Sequence, residues 1–309
     1  MKHLLSKRFV PLLFLALVFL GSCKKEEPVY EDNTIPPYSE IPTIEVNNYV
    51  NRLFIDIIGR EPTDEEMDRD TQHLEENNLS TEARIEIINT LFFSTEPVPG
   101  DTSYNHAYFT KLYEDTKARL IEGASDAEIT QEYNVFRSNA IADSLSGNIG
   151  SYEQNMVQAN RLKDILDSPI RLREGTINIR RMYEFMLYNS IYDQINMGAF
   201  NFINATFNDL FYRFPTEAEF EQSFQIIELN QPAQVFGQVA QNKSEYIDIM
   251  TESDEYEEGM VRWAFQTFLS REPSTAEVSQ LAPAFGSTSN LQSIQRQILI
   301  TDEYAGFEN

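Results

Sequence analysis

The chain has 309 residues, enough for one large domain or two small ones, and at 41% hydrophobic it can bury a core, which excludes a wholly disordered protein. Only 12 glycines argue against a loop-rich all-β sandwich or barrel. Lysine and arginine total 24 against 49 aspartates and glutamates, a net charge of -25, so the surface repels phosphate backbones and nucleic acid is excluded as a partner.

The first element is an export signal. Lys2, Lys7 and Arg8 form a cationic start, and Phe9 to Leu20 an apolar run of 12 residues, short of the ~20 an ordinary membrane span needs. The run ends in Leu20-Gly21-Ser22-Cys23, which resembles the bacterial lipobox: small side chains at the cut, then a cysteine whose thiol takes a diacylglycerol. That resemblance implies removal of residues 1–22, an acylated Cys23 as the mature N-terminus, and a membrane partner through the lipid. Three acyl chains hold effectively permanently at ~0.8 kcal/mol per buried CH₂. Cleavage takes away three cations and no acid, leaving -28. Cys23 is the only cysteine, so an intramolecular disulfide, a thiolate zinc site and a CxxCH haem attachment are excluded.

Lys24-Lys25-Glu26-Glu27 is similar to the short lysine-plus-acid signal of Bacteroidota surface lipoproteins. This implies an outer-membrane lipoprotein facing the cell surface, with a periplasm-facing location as the alternative. Pro28, Pro36, Pro37 and Pro42 then punctuate a polar stretch without period, so residues 23–45 form the acylated cysteine and a stalk. At ~3.1–3.5 Å per residue, some twenty residues reach ~60–70 Å.

Beyond the stalk one pattern occurs three times: R-x-P-[ST]-x-x-E, as Arg60, Pro62, Thr63 and Glu66, as Arg213, Pro215, Thr216 and Glu219, and as Arg271, Pro273, Ser274 and Glu277. The hydroxyl caps a new helix and the glutamate three residues on reaches back to the cap's N–H. The proline separates that helix from the one before. Upstream, Tyr49, Val50, Leu53, Phe54, Ile57 and Ile58 make one face of a 3.6-period helix. Phe202, Ile203, Thr206, Phe207, Leu210 and Phe211 stand at the same offsets, and so do Met260, Val261, Ala264, Phe265, Phe268 and Leu269. A third helix closes each unit. In the first it runs from Ser80 to Phe93 with Ile85, Ile88, Leu91 and Phe92 inward; in the last it runs from Leu291 to Ile300. The ends Ser253-Asp254-Glu255-Tyr256 and Thr301-Asp302-Glu303-Tyr304 are alike, their tyrosines expected as half-buried packing residues. The fold class is all-α: a multi-helix array of three repeats, the first over 46–97 and the other two over 199–309, with a helical insert over 98–198.

Within the insert, helices are expected over Tyr104 to Ile121, Ala127 to Asp143 and Tyr152 to Leu166. Thr176 to Met197, apolar or aromatic nearly all round, is expected as one central buried helix. Asp143-Ser144-Leu145 resembles the D-[ST]-apolar site that Bacteroidota O-glycosylate, which makes Ser144 a candidate glycan acceptor.

Leu53 to Thr63 is similar to the "LLGR-x-P-T" signature of uncharacterised helical domains in exported bacterial proteins, some accompanying cytochrome-like modules, others resembling phycobilisome-linker repeats. The resemblance implies a helical fold and little about activity. Gly59 gives way to Tyr212 and Ser270 in the later copies. No GxSxG, P-loop, dinucleotide or calcium-loop pattern occurs. His73 and His106 lack metal-ligand spacing, and Asp64-Glu65-Glu66, Glu75-Glu76, Asp254-Glu255 and Glu257-Glu258 fall at helix starts or on polar faces, where solvation suffices.

The repeat arginines suit structural pairing with a nearby glutamate better than an anion clamp. No cofactor, metal or catalytic residue is expected. The expectation is a non-enzymatic, membrane-tethered binding or scaffold lipoprotein whose partner is an outer-membrane protein complex or a glycan. Two competitors stand beside it: a hydrolase working with two carboxylates across an aromatic-lined groove, and a carrier holding a small apolar ligand on Thr176 to Met197.

Overall fold

Most of the described helices start where a serine, threonine or asparagine accepts a hydrogen bond from the first turn. Thr63, Ser80, Ser103, Ser125, Thr216, Asn242, Ser253, Ser274, Asn290 and Thr301 each do so. A computed structural model of the protein describes residues 41–307; Leu20, Gly21, Ser22, Cys23 and the stalk up to residue 40 lie outside the described residues.

The first repeat consists of α1 (Thr43–Ile58), α2 (Asp64–Glu76) and α3 (Thr81–Phe93). The insert holds α4 (Tyr104–Leu120), α5 (Asp126–Leu145), α6 (Ile149–Arg173), α7 (Ile179–Leu187) and α8 (Ser190–Ile195). The second repeat is α9 (Ala199–Phe211), α10 (Glu217–Ile227), a two-stranded hairpin and α11 (Lys243–Glu252). The third is α12 (Asp254–Leu269), α13 (Thr275–Thr288) and α14 (Leu291–Leu299), followed by the short α15 (Asp302–Ala305). The described residues are thus an all-α array whose only strands are β1 (Ala233–Val235) and β2 (Gln238–Ala240), antiparallel with Val235 opposite Gln238.

The first helix of each repeat buries the stripe that its sequence period lays out, with Leu269 alone half-buried, and one contiguous core runs from Val46 to Phe307. The two ends of this core are joined. Tyr49 Oη donates to the Leu299 carbonyl at 3.1 Å, and Arg52 donates to the carbonyls of Tyr304, at 2.8 Å, and Phe268. Arg84, only 2% exposed, donates to the carbonyls of Leu79 (3.0 Å) and Ile300 (2.8 Å) and to Asp302 (2.7 Å). The α5–α6 pair is different: the two helices pack chiefly on each other, α6 packs on α4 and α7, and the start of α5 is tied to α4 through Asp126, which meets Tyr113 and Lys117 at 2.7 and 2.8 Å.

Three expectations need correction. Thr176 to Met197 is not one helix but α7 and α8, broken at Tyr188 and Asn189. The Asn189 amide donates to the carbonyls of Phe185 and Met186, and its Oδ1 accepts the N–H groups of Ile191 and Tyr192, so one buried side chain ends one helix and starts the next. In α3 the inward face holds Ala83, Arg84, Ile87, Ile88, Leu91 and Phe92, leaving Ile85 half-buried. Tyr256 and Tyr304 are fully buried rather than half-buried.

The left-handed residue that ends the first helix of each repeat survives the loss of glycine. Gly59, Tyr212 and Ser270 have φ of 79°, 60° and 54°. The last two therefore hold a conformation that only glycine adopts without cost.

Candidate functional site

Arg60, Arg213 and Arg271 each leave the end of a helix and meet the glutamate that caps the next. Arg60 Nη1 and Nη2 grip the Glu66 carboxylate, both at 2.7 Å. Arg213 grips Glu219 at 2.8 and 2.7 Å, and Arg271 grips Glu277 at 3.0 and 2.8 Å. In all three copies that glutamate completes the capping box with Thr63, Thr216 or Ser274. Pro62, Pro215 and Pro273 stand directly before the cap and, lacking an N–H and disfavouring helix at the residue before them, separate the new helix from the last. Each guanidinium also lies 4.9–5.6 Å from the ring of Phe54, Phe207 or Phe265, six residues before it.

A second acid closes each clamp from just beyond the unit's third helix. It is Asp101 for Arg60, at 2.7 Å, Glu255 for Arg213, and Glu303 for Arg271, at 2.5 and 2.7 Å. Glu255 and Glu303 belong to the Ser-Asp-Glu-Tyr and Thr-Asp-Glu-Tyr ends, which gives those ends a purpose: they carry the carboxylate that locks the third helix onto the turn of the first two. Glu66 and Glu255 are therefore held in ion pairs rather than solvated.

The clamps leave little capacity for chemistry. Arg213 and Arg271 engage all five guanidinium N–H groups, counting one to the carbonyl of the next residue. No donor is left for an anion. Glu66, 4% exposed, accepts from Arg60 twice, from the Thr63 N–H at 2.7 Å and from the Tyr104 hydroxyl at 2.6 Å, which fills its lone pairs. Burial pushes its pKa up, but Arg60, Tyr104 and the Thr63 N–H outweigh that and hold it at about 2. Arg213 and Arg271 hold Glu219 and Glu277 at about 2 as well. A carboxyl so low donates no proton near neutrality.

Two clefts adjoin the clamps. One of about 800 Å³ is lined by Thr63, Glu66, Arg69, Pro97 and Tyr104. A smaller one of about 170 Å³ is lined by Phe265, Arg271, Glu277, Gln280 and Glu303. In the smaller cleft the facing acids Glu277 and Glu303 are bridged by Arg271, which leaves no room for a water or sugar oxygen between them, and in the larger one the Glu66 carboxylate is taken up by Arg60, Thr63 and Tyr104. His73 lies 3.0 Å from Glu86, and His106 Nδ1 lies 2.6 Å from Arg173. Among the described residues no group of three His, Cys, Asp or Glu is placed to hold a metal ion, and no helix is long and apolar enough to cross a membrane. Ser144 sits exposed in the last turn of α5, and Met182, Tyr183, Met186, Leu187 and Tyr192 are core residues.

Sequence reasoning overlooked a stretched copy of the pattern at the head of the insert. Tyr108, Phe109, Leu112, Tyr113, Thr116 and Lys117 precede Arg119 at the repeat offsets, and a capping box of Ser125 and Glu128 follows. Three extra residues part the arginine from the cap, so Arg119 pairs elsewhere. It donates to the Asp209 carbonyl at 3.0 and 2.5 Å, bonds the Tyr212 hydroxyl, and covers the Tyr212 ring at 4.0 Å, capping α9. Asp209 itself accepts the buried Tyr192 hydroxyl at 2.8 Å, as Asp56, at the same register position, accepts that of Tyr304. Burial pushes Asp209 up to about 6.

No family model, no curated protein and no solved structure matches this chain.

Proposed function

We propose that the chain is a non-catalytic scaffold lipoprotein, tethered by an acylated Cys23 to the outer membrane and displayed on its outer face, where its helical body meets a protein complex or a glycan. The observation that carries this reading is the Leu20-Gly21-Ser22-Cys23 lipobox at the end of a 12-residue apolar run, with the sole cysteine of the chain at the acylated position. Lys24-Lys25-Glu26-Glu27 supports the outward address, and the proline-bearing stretch after it supplies a stalk. The clamps support the non-catalytic half of the reading, because their carboxylates are consumed in holding helices together.

Labelled palmitate and membrane fractionation test the tether. The expected result is label in the wild-type chain, none in Cys23→Ala, and release of that variant from the membrane fraction. A Cys23→Ala chain that stays as firmly in the membrane overturns the proposal. Protease added to intact cells tests the face, since digestion without permeabilisation is expected only for outward display.

A further inference from the structure

The three repeats can be compared position by position at fixed distances from their arginines, and one set of positions stands out. Thirteen residues before, seven after and eleven after the arginine, the first repeat has Asn47, Met67 and Thr71, and the third has Glu258, Val278 and Ala282. In the first, the Thr71 hydroxyl donates to Asn47 at 2.7 Å and the set is closed. The second repeat has phenylalanine at all three. Phe200 is 66% exposed, with its ring 5.5 Å from that of Phe220, which stacks 6.1 Å from that of Phe224. An open phenyl where the sister repeats carry asparagine and glutamate adds little to the core, and such clusters mark surfaces that something covers.

Charge selects the occupant. Glu217 and Glu221 stand one helical turn before Phe220 and Phe224 on α10, and Glu228 one turn after Phe224. All three are exposed, and among the described residues none has an ion-pair partner. The only cation between residues 199 and 227 is Arg213, whose five donors are engaged. Phenyl faces edged by free carboxylates complement lysine or arginine side chains, whose stems pack on the rings while their heads meet ring faces and carboxylates. A neutral sugar leaves the carboxylates unused, and an anionic lipid headgroup is repelled by them.

We propose that the Phe200–Phe220–Phe224 ladder of the second repeat docks a cationic amphipathic polypeptide segment of a partner protein. This deepens the scaffold reading by naming the partner's chemistry, and its test uses no membrane, so its failure and that of the Cys23 tether are separable. The probe is a fluorescein-labelled helical peptide of lysine and leucine, titrated into the full chain at 150 mM salt and followed by anisotropy. Controls are a peptide with serine for leucine, one with glutamate for lysine, and phosphatidylcholine vesicles. The triple variant F200N/F220M/F224T installs the first repeat's own residues, so the fold is expected to persist by circular dichroism; F200N alone changes a single open side chain and covers the case where the triple variant unfolds. The expected results are at least tenfold weaker binding of the lysine–leucine peptide in the triple variant, about threefold weaker in F200N, and a flatter salt dependence in E217Q/E221Q/E228Q. Unchanged affinity in both phenylalanine variants, equal binding of the serine peptide, or binding of the glutamate peptide or the vesicles that depends on the phenylalanines would each overturn the proposal.

Discussion

Replacing Glu66 by glutamine probes the clamps directly, and the third repeat supplies the control. Glu66 is gripped by Arg60, Thr63 and Tyr104 with a side chain only 6% exposed, whereas the Glu277 side chain is 32% exposed. Holding a carboxyl at about 2 instead of 4.5 corresponds to about 3 kcal/mol of favourable interaction with the ionised form. A glutamine keeps the shape but turns an acceptor into a donor facing Arg60, so most of that is lost. We expect Glu66→Gln to destabilise the fold by about 2–3 kcal/mol in urea titration at pH 7. Solvent screening reduces the same change at Glu277 to about 1 kcal/mol. The sign of the pH effect follows from the lowered value. The stability from Glu66 is fully present above about pH 4.5 and is lost as pH falls toward 2, so the gap between wild type and variant should close on acidification. Equal losses at the two positions, or a gap that persists at pH 2.5, would show that burial of the carboxylate does not set the strength of the clamp.

Three further outcomes are expected. Ser270→Gly relieves a left-handed serine at φ 54° and should raise stability by about 0.5–1 kcal/mol, read as a higher melting temperature. Gly259→Ala would place a Cβ 1.9 Å from the Leu210 carbonyl oxygen, where α9 crosses α12; a loss of at least about 2 kcal/mol in urea titration is expected. Asp209 has the opposite pH sign to Glu66: with its folded pKa raised from 3.8 to about 6, the native state holds the extra proton and stability falls as pH rises between those values. Asp209→Asn should therefore gain about 1–2 kcal/mol at pH 7.5 and nothing below pH 4, measured by urea titration at both.

The capped helix starts were legible because capping is local. Thr63 and Glu66 lie three residues apart, and the hydrogen bonds between them need no knowledge of the rest of the chain. The second acid of each clamp was half-legible: the likeness of the two Asp-Glu-Tyr ends was visible, but that Glu255 and Glu303 reach back 42 and 32 residues to an arginine is a fact of packing. Arg84 was illegible for the same reason, since the carbonyls it satisfies at Leu79 and Ile300 meet only in the folded chain. The break at Asn189 and the hairpin turn at Phe236 and Gly237, with φ of 46° and 76°, had local signals that the surrounding apolar runs concealed. The phenylalanine ladder was written in the sequence too, but an aromatic at helical spacing looks like core until exposure separates Phe200 from Phe202.

The placement of the cations bears on what the surface can meet. Arg60, Arg213 and Arg271 hold capping glutamates, Arg52, Arg84 and Arg119 satisfy carbonyls at helix ends, and Lys117 is buried against Asp126. A chain with 24 cations and 49 acids thus places many of its positive groups at internal joints. The clamp arginines each neutralise two carboxylates, yet the acids left over, such as Glu217, Glu221 and Glu228, face water without a counter-charge. Acidity here has a structural origin as well as a solubilising one: the same arginines that let turns of identical chemistry recur along the chain are withdrawn from the surface. The field this leaves attracts cationic groups and repels anionic ones, which is the charge that the proposal for the Phe200–Phe220–Phe224 ladder requires of its partner.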